Sequence, residues 1–335
     1  MRSGAFAIYL NANARRVSPE VVSRIEDLVP PDDIFFASCI EDADRFAALI
    51  LDRGYPTVFT GGGDGTFVGL VNALWRQSMQ RPERPAIPVI GVLSLGTGNA
   101  LSLMTSPGNP LQDLKKYVTN PSQDIWTISL VEAEGVLVPF AGVGIDAEIL
   151  HDYIRVKERF GQGRLKPLFQ NVGGYFASFF GATLPRHVRE GLAGGGVRIR
   201  VENLGPEAWL LGPEGVRQRR YGPGEVLYEG PAVIANCGTI PIYGYGMRLL
   251  PWANQDLDFF QARISAVSIA WSLVNLPKVW RGDFQAEGLM DFLASHLRVT
   301  TSRPIPLQLG GDLAGLRDQV EYRIVPRAVR LLRFL

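Results

Sequence analysis

Residues 56–66 read Pro-Thr-Val-Phe-Thr-Gly-Gly-Gly-Asp-Gly-Thr. Pro56–Thr60 is a short β-rich run, and the segment Phe67–Met79 is helical. The glycines between them form a strand-to-helix turn. In open parallel sheets, turns of this kind at strand C-termini make ligand crevices. Glycines let backbone N–H groups approach phosphate oxygens, and the next helix N-terminus adds a favourable dipole. Asp64 is the odd member. A carboxylate beside phosphate needs a cation between them, or a proton to take. It is also suited to capping the helix at Phe67. Val89–Leu93 repeats the plan. It is followed by Ser94-Leu95-Gly96-Thr97-Gly98-Asn99 and a helix from Asn99 to Met104.

Working outward, the flanks alternate strand and helix. Ala5–Leu10 and Ile34–Ala37 are strands. Ser18 caps a helix with Pro19 at its first position. Ser38 and Glu41 have capping-box spacing ahead of a helix that Gly54 ends. This alternation predicts a parallel, Rossmann-like sheet with helices on both faces. After residue 122 the pattern changes. Ile125–Glu132 and Val136–Gly142 read as a hairpin about Glu134-Gly135. Val197–Glu202, Ala232–Asn236, Leu257–Ile264, Leu297–Thr301 and Val320–Ile324 read as strands, with a helical stretch at Leu168–Phe180. The fold class is therefore an α/β first domain, residues 1–122, and a mainly antiparallel β-sandwich, residues 123–319. Residues 320–335 form a last strand segment returning toward the first domain.

The chain has 335 residues, 46% hydrophobic and 20% charged, with 37 Gly and 23 Pro. That excludes disorder and supplies enough chain for a core without disulfides or structural metal. Net charge is +1, which argues against a nucleic-acid binder. Residues 1–140 carry a balance of −4 and residues 141–335 one of +5. A basic second half suits a phosphorylated ligand or an anionic membrane surface, and it is also within counting noise. Cys39 and Cys237 are the only cysteines, as expected in a reducing compartment. The N-terminus lacks a signal-peptide h-region, and the apolar stretch Ile264–Leu276 is too short to span a bilayer. The expected location is the cytoplasm, with peripheral membrane contact compatible. The sequence has no P-loop lysine motif and no G-x-G-x-x-G at the first strand. His151, His187 and His296 are scattered.

Gly62-Gly63-Asp64-Gly65-Thr66, followed by Gly96-Thr97-Gly98-Asn99, resembles the diacylglycerol kinase catalytic-domain family. That family includes bacterial lipid kinases, sphingosine kinases and ceramide kinases, and shares a superfamily with NAD kinases. Gly142-Val143-Gly144-Ile145-Asp146-Ala147, Ala232–Asn236, Met247–Pro251 and Pro326-Arg327-Ala328 extend the likeness over nearly the whole chain. The resemblance implies ATP and Mg²⁺ as cofactors, transfer of the γ-phosphoryl group to a lipid hydroxyl, and a nucleotide cleft between the two domains. It implies that Asp64 activates the hydroxyl. It implies nucleotide contacts from Asn11, Gly61, Gly62, Gly63, Gly65, Thr66, Gly96, Thr97, Gly98 and Asn99. Arg159 and Arg164 resemble the family's basic residues that reach the phosphates, and Asp146 matches a lipid-headgroup contact. A solvated helix face explains the two arginines equally well. The implied partner is a lipid alcohol such as a diacylglycerol or sphingoid base, and a homodimer is compatible.

The sequence also departs from the family. Gly310-Gly311-Asp312 stands where an Asp-Gly-Glu is usual, which leaves Asp312 as the catalytic and metal-binding carboxylate there. Ala12 replaces a Pro after Asn11. Trp252-Ala253 is followed by Asp256-Leu257-Asp258 rather than the family's acidic pair. Gly69 stands where a Glu is frequent. Two alternatives therefore stay open: a homologue with impaired catalysis that binds nucleotide or lipid, and an NAD kinase-like enzyme. The Gly96–Asn99 turn argues against the second.

Overall fold

The computed structural model describes residues 6–96, 99–106, 108–121, 124–160 and 196–334, without the side chains of 156–160 and 245. Thr97, Gly98, Arg164 and the stretch Leu168–Phe180 lie outside the described residues, as does the Arg159 side chain. The chain forms two units. One takes residues up to Leu130, Ile242–Arg248 and Val325 onward; the other takes Val131–Pro241 and Leu249–Ile324.

The first unit is the α/β part. Its strands are β1 (Ala7–Asn11), β2 (Ile34–Ala37), β3 (Thr57–Gly62) and β4 (Val89–Ser94), all parallel, in the order β2-β1-β3-β4. The end of the last strand, β16 (Asp312–Arg333), adds to β4 in parallel through Leu331 and Ile90. Successive side chains on β1 point to opposite faces. Ile8 and Leu10 join Phe59, Leu93, Leu332 and Phe334 in a core. Ile25 of α1 (Pro19–Glu26) and Leu114 and Tyr117 of α5 (Pro110–Thr119) cover it. Tyr9 turns the other way onto Phe46 of α2 (Glu41–Asp52), with ring centroids 6.3 Å apart. Beside α2 lies α3 (Asp64–Met79), held to it by Arg76–Asp44 at 2.9 Å. Each fully buried Leu, Ile or Phe contributes about 1.5–3 kcal/mol, so the apolar packing on both faces dominates this unit's stability.

The helix signals resolve unevenly. Ser18 accepts a hydrogen bond from the Val21 amide, with Pro19 in the first turn, as the sequence predicts. Gly54, at φ 65°, ends α2. The Ser38/Glu41 capping box does not form. Ile40 takes the cap position and has no acceptor, so Asp42 reaches back to the amides of Ser38 (2.8 Å) and Cys39 (3.3 Å). Helix α3 begins at Asp64 rather than Phe67, because the Gly63 carbonyl already accepts from the amides of Thr66 and Phe67.

The second unit is largely antiparallel. Strand β5 (Asp124–Ala133), which enters this unit at Val131, turns into β6 (Val136–Val138) at Glu134-Gly135, both left-handed at φ 53° and 75°. Positive φ at both central residues is the hairpin geometry whose twist matches its strands. The expected single strand Val136–Gly142 is broken at Pro139, which has no N–H to offer, and β7 (Phe140–Gly144) starts a new pairing. Around β7 the order runs β15 (His296–Leu309), β7, β12 (Ile234–Gly238), β13 (Phe260–Ser265), β14 (Leu289–Ala294), β9 (Ala208–Leu211), β10 (Arg217–Tyr221), with β8 (Arg198–Asn203) on β15 and β11 (Val226–Pro231) on β8. Strands β9, β10, β11 and β14 were not expected from the sequence. Helix α6 (Ile145–Phe160) was also unexpected.

One row of residues crosses this sheet in register: Gln308, Gly142, Asn236, Arg263 and Asp291. Arg263 is 1% exposed and meets Asp291 in a two-pronged ion pair, 2.8 Å on each prong. Gln261 donates to the same carboxylate at 2.7 Å.

Candidate functional site

The C-terminal ends of β3 and β4 lie side by side, with Gly62 opposite Ser94. Each strand therefore delivers its glycine turn to the same edge of the first unit. A Cβ on Gly96 would fall 2.2 Å from the Gly63 Cα and 2.4 Å from its nitrogen. Only glycine permits that backbone-to-backbone contact, so the two turns, 30 residues apart in sequence, make one surface.

Side chains at the end of each turn fix its shape. Asn99 sits in the left-handed region (φ 49°) and clasps Gly96, accepting from its amide at 3.2 Å and donating to its carbonyl at 2.8 Å. Asparagine tolerates this conformation because its short amide can bond locally. Asn11, at the end of β1, donates to the Thr66 hydroxyl at 3.1 Å and accepts from the Asn13 amide. The loop after β1 reaches the second turn as well: the Arg16 amide donates to the Leu95 carbonyl at 3.2 Å. Asn11, Gly61–Thr66, Gly96 and Asn99 are thus brought together within this unit.

Asp64 bridges the two turns. The N-cap position of its own helix belongs to Gly63. The Asp64 carboxylate accepts from Ala100 N at 3.0 Å and Leu101 N at 3.3 Å, the first amides of α4 (Ala100–Thr105). Helix N-terminal amides lack partners within the helix and carry partial positive charge, so a carboxylate is favoured there. Asp64 is therefore held at the point where the α3 and α4 N-termini converge.

A further segment packs here that the sequence reading did not place. Ile242–Arg248 groups with this unit, and the turn Gly244–Gly246 lies against α4, beside Leu103. The clustered glycines of Tyr243-Gly244-Tyr245-Gly246 were the available signal.

The second unit holds the other named residues. Asp146 stands in the first turn of α6. Asp312 begins β16 after a tight turn at Gly310 (φ 60°) and Gly311 (φ 92°), opposite Leu309 of β15. Its side chain reaches solvent, yet the surrounding protein removes enough water to raise its carboxyl above the usual range. The backbone of Arg159 lies in α6. Among the described residues, no group of three or more His, Cys, Asp or Glu side chains is placed to hold a metal ion. No helix among them is long and apolar enough to cross a membrane.

Comparison with known proteins agrees with this geometry. Over its full length the chain superimposes on the crystal structure of a diacylglycerol kinase from Bacillus anthracis strain Sterne (TM-score 0.63, 12% identity, 98% of that chain covered). A second crystal structure from the same organism gives a TM-score of 0.66 at 14% identity, with 96% covered. These likenesses establish the fold. In sequence, 175 residues are 23% identical to Diacylglycerol kinase 2 of Arabidopsis thaliana, covering 45% of this chain and 24% of that protein, so the match spans about a quarter of the relative's length. The diacylglycerol kinase catalytic domain matches residues 11–130, a span that contains both glycine turns and Asp64. Over that span the chain is similar to the diacylglycerol kinase catalytic-domain family.

Proposed function

We propose that this protein transfers the γ-phosphoryl group of ATP to the hydroxyl of a lipid alcohol. The observation that carries the reading is the joint surface of two glycine turns, closed by Asp64, inside the matched catalytic domain. The donor set fits a nucleotide triphosphate. The α3 N-terminus and Gly96 present backbone to one place, and the α4 amides beside them hold the Asp64 carboxylate. Mg²⁺ fits as an ion carried by the phosphates and met by one or two carboxylates, which is its usual mode. Asp64 is the residue proposed to meet it. When bound, Mg-ATP supplies the phosphoryl group and neutralises charge on it.

The chain's own residues position the reactants. Asp64, oriented by two amides, accepts the hydroxyl proton at a carboxylate oxygen and aims the nucleophile. Phosphoryl transfer requires positioning more than covalent chemistry, so one oriented carboxylate suffices for this role. Asn11, Thr66 and Asn99 hold the turns in shape. Asp146 is proposed to contact the lipid's polar head, and Arg159 and Arg164 the phosphates.

The test is an assay with ATP labelled in the γ-phosphate, Mg²⁺ and a panel of diacylglycerol, sphingoid base and ceramide, with the product identified by mass. A labelled lipid phosphate is expected. If no lipid is labelled while ATP still raises the melting temperature, the protein is a binding homologue with impaired catalysis. Gly310, where an acid is usual, is the observation favouring that second reading, and Gly310→Asp is its probe. Label appearing in NADP instead of lipid would overturn the choice of acceptor.

A further inference from the structure

Helices α1 to α6 each bury at least one side chain. The next two among the described residues, α7 (Ile269–Val274) and α8 (Leu276–Arg281) in the second unit, bury none. They are apolar nonetheless. Trp271 is 54% exposed, Val274 73% and Trp280 37%. A surface helix of a globular protein normally turns its apolar stripe into the core, and here that stripe faces out. The chain between Asp258 and Asp283 carries no acidic residue. Lys278 and Arg281 lie in the last turn of α8, and among the described residues Arg281 meets the Asp283 carboxylate at 2.9 Å on the surface.

We infer that the α7–α8 hairpin docks the second unit onto a bilayer surface containing anionic lipid. Tryptophan is enriched at the headgroup level, where an apolar ring and a polar N–H are both accommodated. Cations beside such an apolar face add attraction to acidic headgroups. Each helix has six residues, so the hairpin lies in the interface and does not span it. A second copy of the chain fits less well, because a two-fold interface through this face would set Lys278 and Arg281 against their own equivalents. The link from docking to catalysis rests on the lipid-kinase reading; the docking itself does not.

The experiment is co-sedimentation of the full chain, without ATP, with vesicles of phosphatidylcholine alone or equimolar with phosphatidylglycerol. The wild-type protein is expected to bind the mixed vesicles. W271S/W280S should lower that binding about tenfold or more, since it removes the inserted apolar area. K278E/R281E should weaken binding only where phosphatidylglycerol is present, by at least about fivefold per charge. Both pairs lie outside the core, and unchanged melting temperatures would exclude misfolding. Toward a water-soluble short-chain acceptor, W271S/W280S should keep the wild-type rate; toward the same headgroup in vesicles its KM should rise. Variants that sediment like wild type, or a wild-type dimer that W271S/W280S dissociates with no change in vesicle binding, would overturn the inference. A docking protein that transfers no phosphate would instead count against the kinase reading alone.

Discussion

In the first unit the key polar contacts gather where strands end and helices begin: Asp64 on the α4 amides, Asn99 on Gly96, Asn11 on Thr66. In the second they lie in mid-sheet. Arg263, Asp291 and Gln261 sit within central strands, with Arg263 1% exposed. The first arrangement keeps the sheet interior apolar and spends polarity on shaping turns at an edge that a ligand can reach. The second places an ion pair in a water-poor interior, where two charges are stable only while both are present. The contrast separates chemistry from architecture: substitutions at the turns should read out in activity, and substitutions in the row should read out in stability.

The sharpest break is Asp64→Asn. Losing the oriented carboxylate should lower the turnover of lipid phosphorylation by about a thousandfold, within the range for one acid–base group. Thermal unfolding should shift by only a few degrees, because asparagine still accepts one α4 amide. Near-wild-type turnover would remove Asp64 from the mechanism. Next comes Asp291→Asn, which leaves the Arg263 charge buried and should cost about 3–5 kcal/mol in denaturant unfolding. The double change R263M/D291L removes both charges and should recover most of that loss. If the single and double variants unfold alike, the ion pair is not what the single change breaks. Ser18→Ala deletes the α1 cap and should cost about 1 kcal/mol, with ATP KM unchanged. The smallest effect is at Glu134, which accepts three hydrogen bonds from Arg317, at 2.7–3.1 Å. Arg317 holds this carboxyl below its usual range. A carboxyl depressed on folding stabilises the native state above its unfolded value, about pH 4.3, and loses that contribution as pH falls through the native one. Glu134→Gln should therefore flatten the acid limb of stability, by at most about 1 kcal/mol for a pair this exposed.

The parallel unit was legible because its punctuation is local. Strands β1, β3 and β4 end at Asn11, Gly62 and Ser94, and Gly61–Gly65, Gly96 and Asn99 carry their turn signals locally. The candidate surface was legible for the same reason. The antiparallel unit hid four strands. Arg217–Tyr221 has the composition of a solvated loop, and it is a strand because β9 pairs with it at the sheet edge. Strand β16 begins at Asp312, ahead of the expected Val320–Ile324 and the segment 320–335, since Gly315 looks like a break; pairing with β15 carries the strand through it. The reach of Asp64 to α4 was not legible at all. It depends on β3 and β4 being adjacent, which is a property of the assembled sheet.

The pairing of Leu331 with Ile90 has a consequence for synthesis. Strand β4, reading Val-Ile-Gly-Val-Leu-Ser, leaves the ribosome long before its partner. At roughly 5–20 residues per second, the roughly 240 intervening residues impose a wait of about 12–50 s. For that interval the nascent first unit has an apolar strand with one unpaired edge, the feature that invites pairing with other chains. The first unit can therefore be completed only after translation has passed residue 331. Deleting the β16 tail should show first as aggregation of newly made protein, and binding of chaperones to nascent chains should peak while β4 is still waiting for its partner.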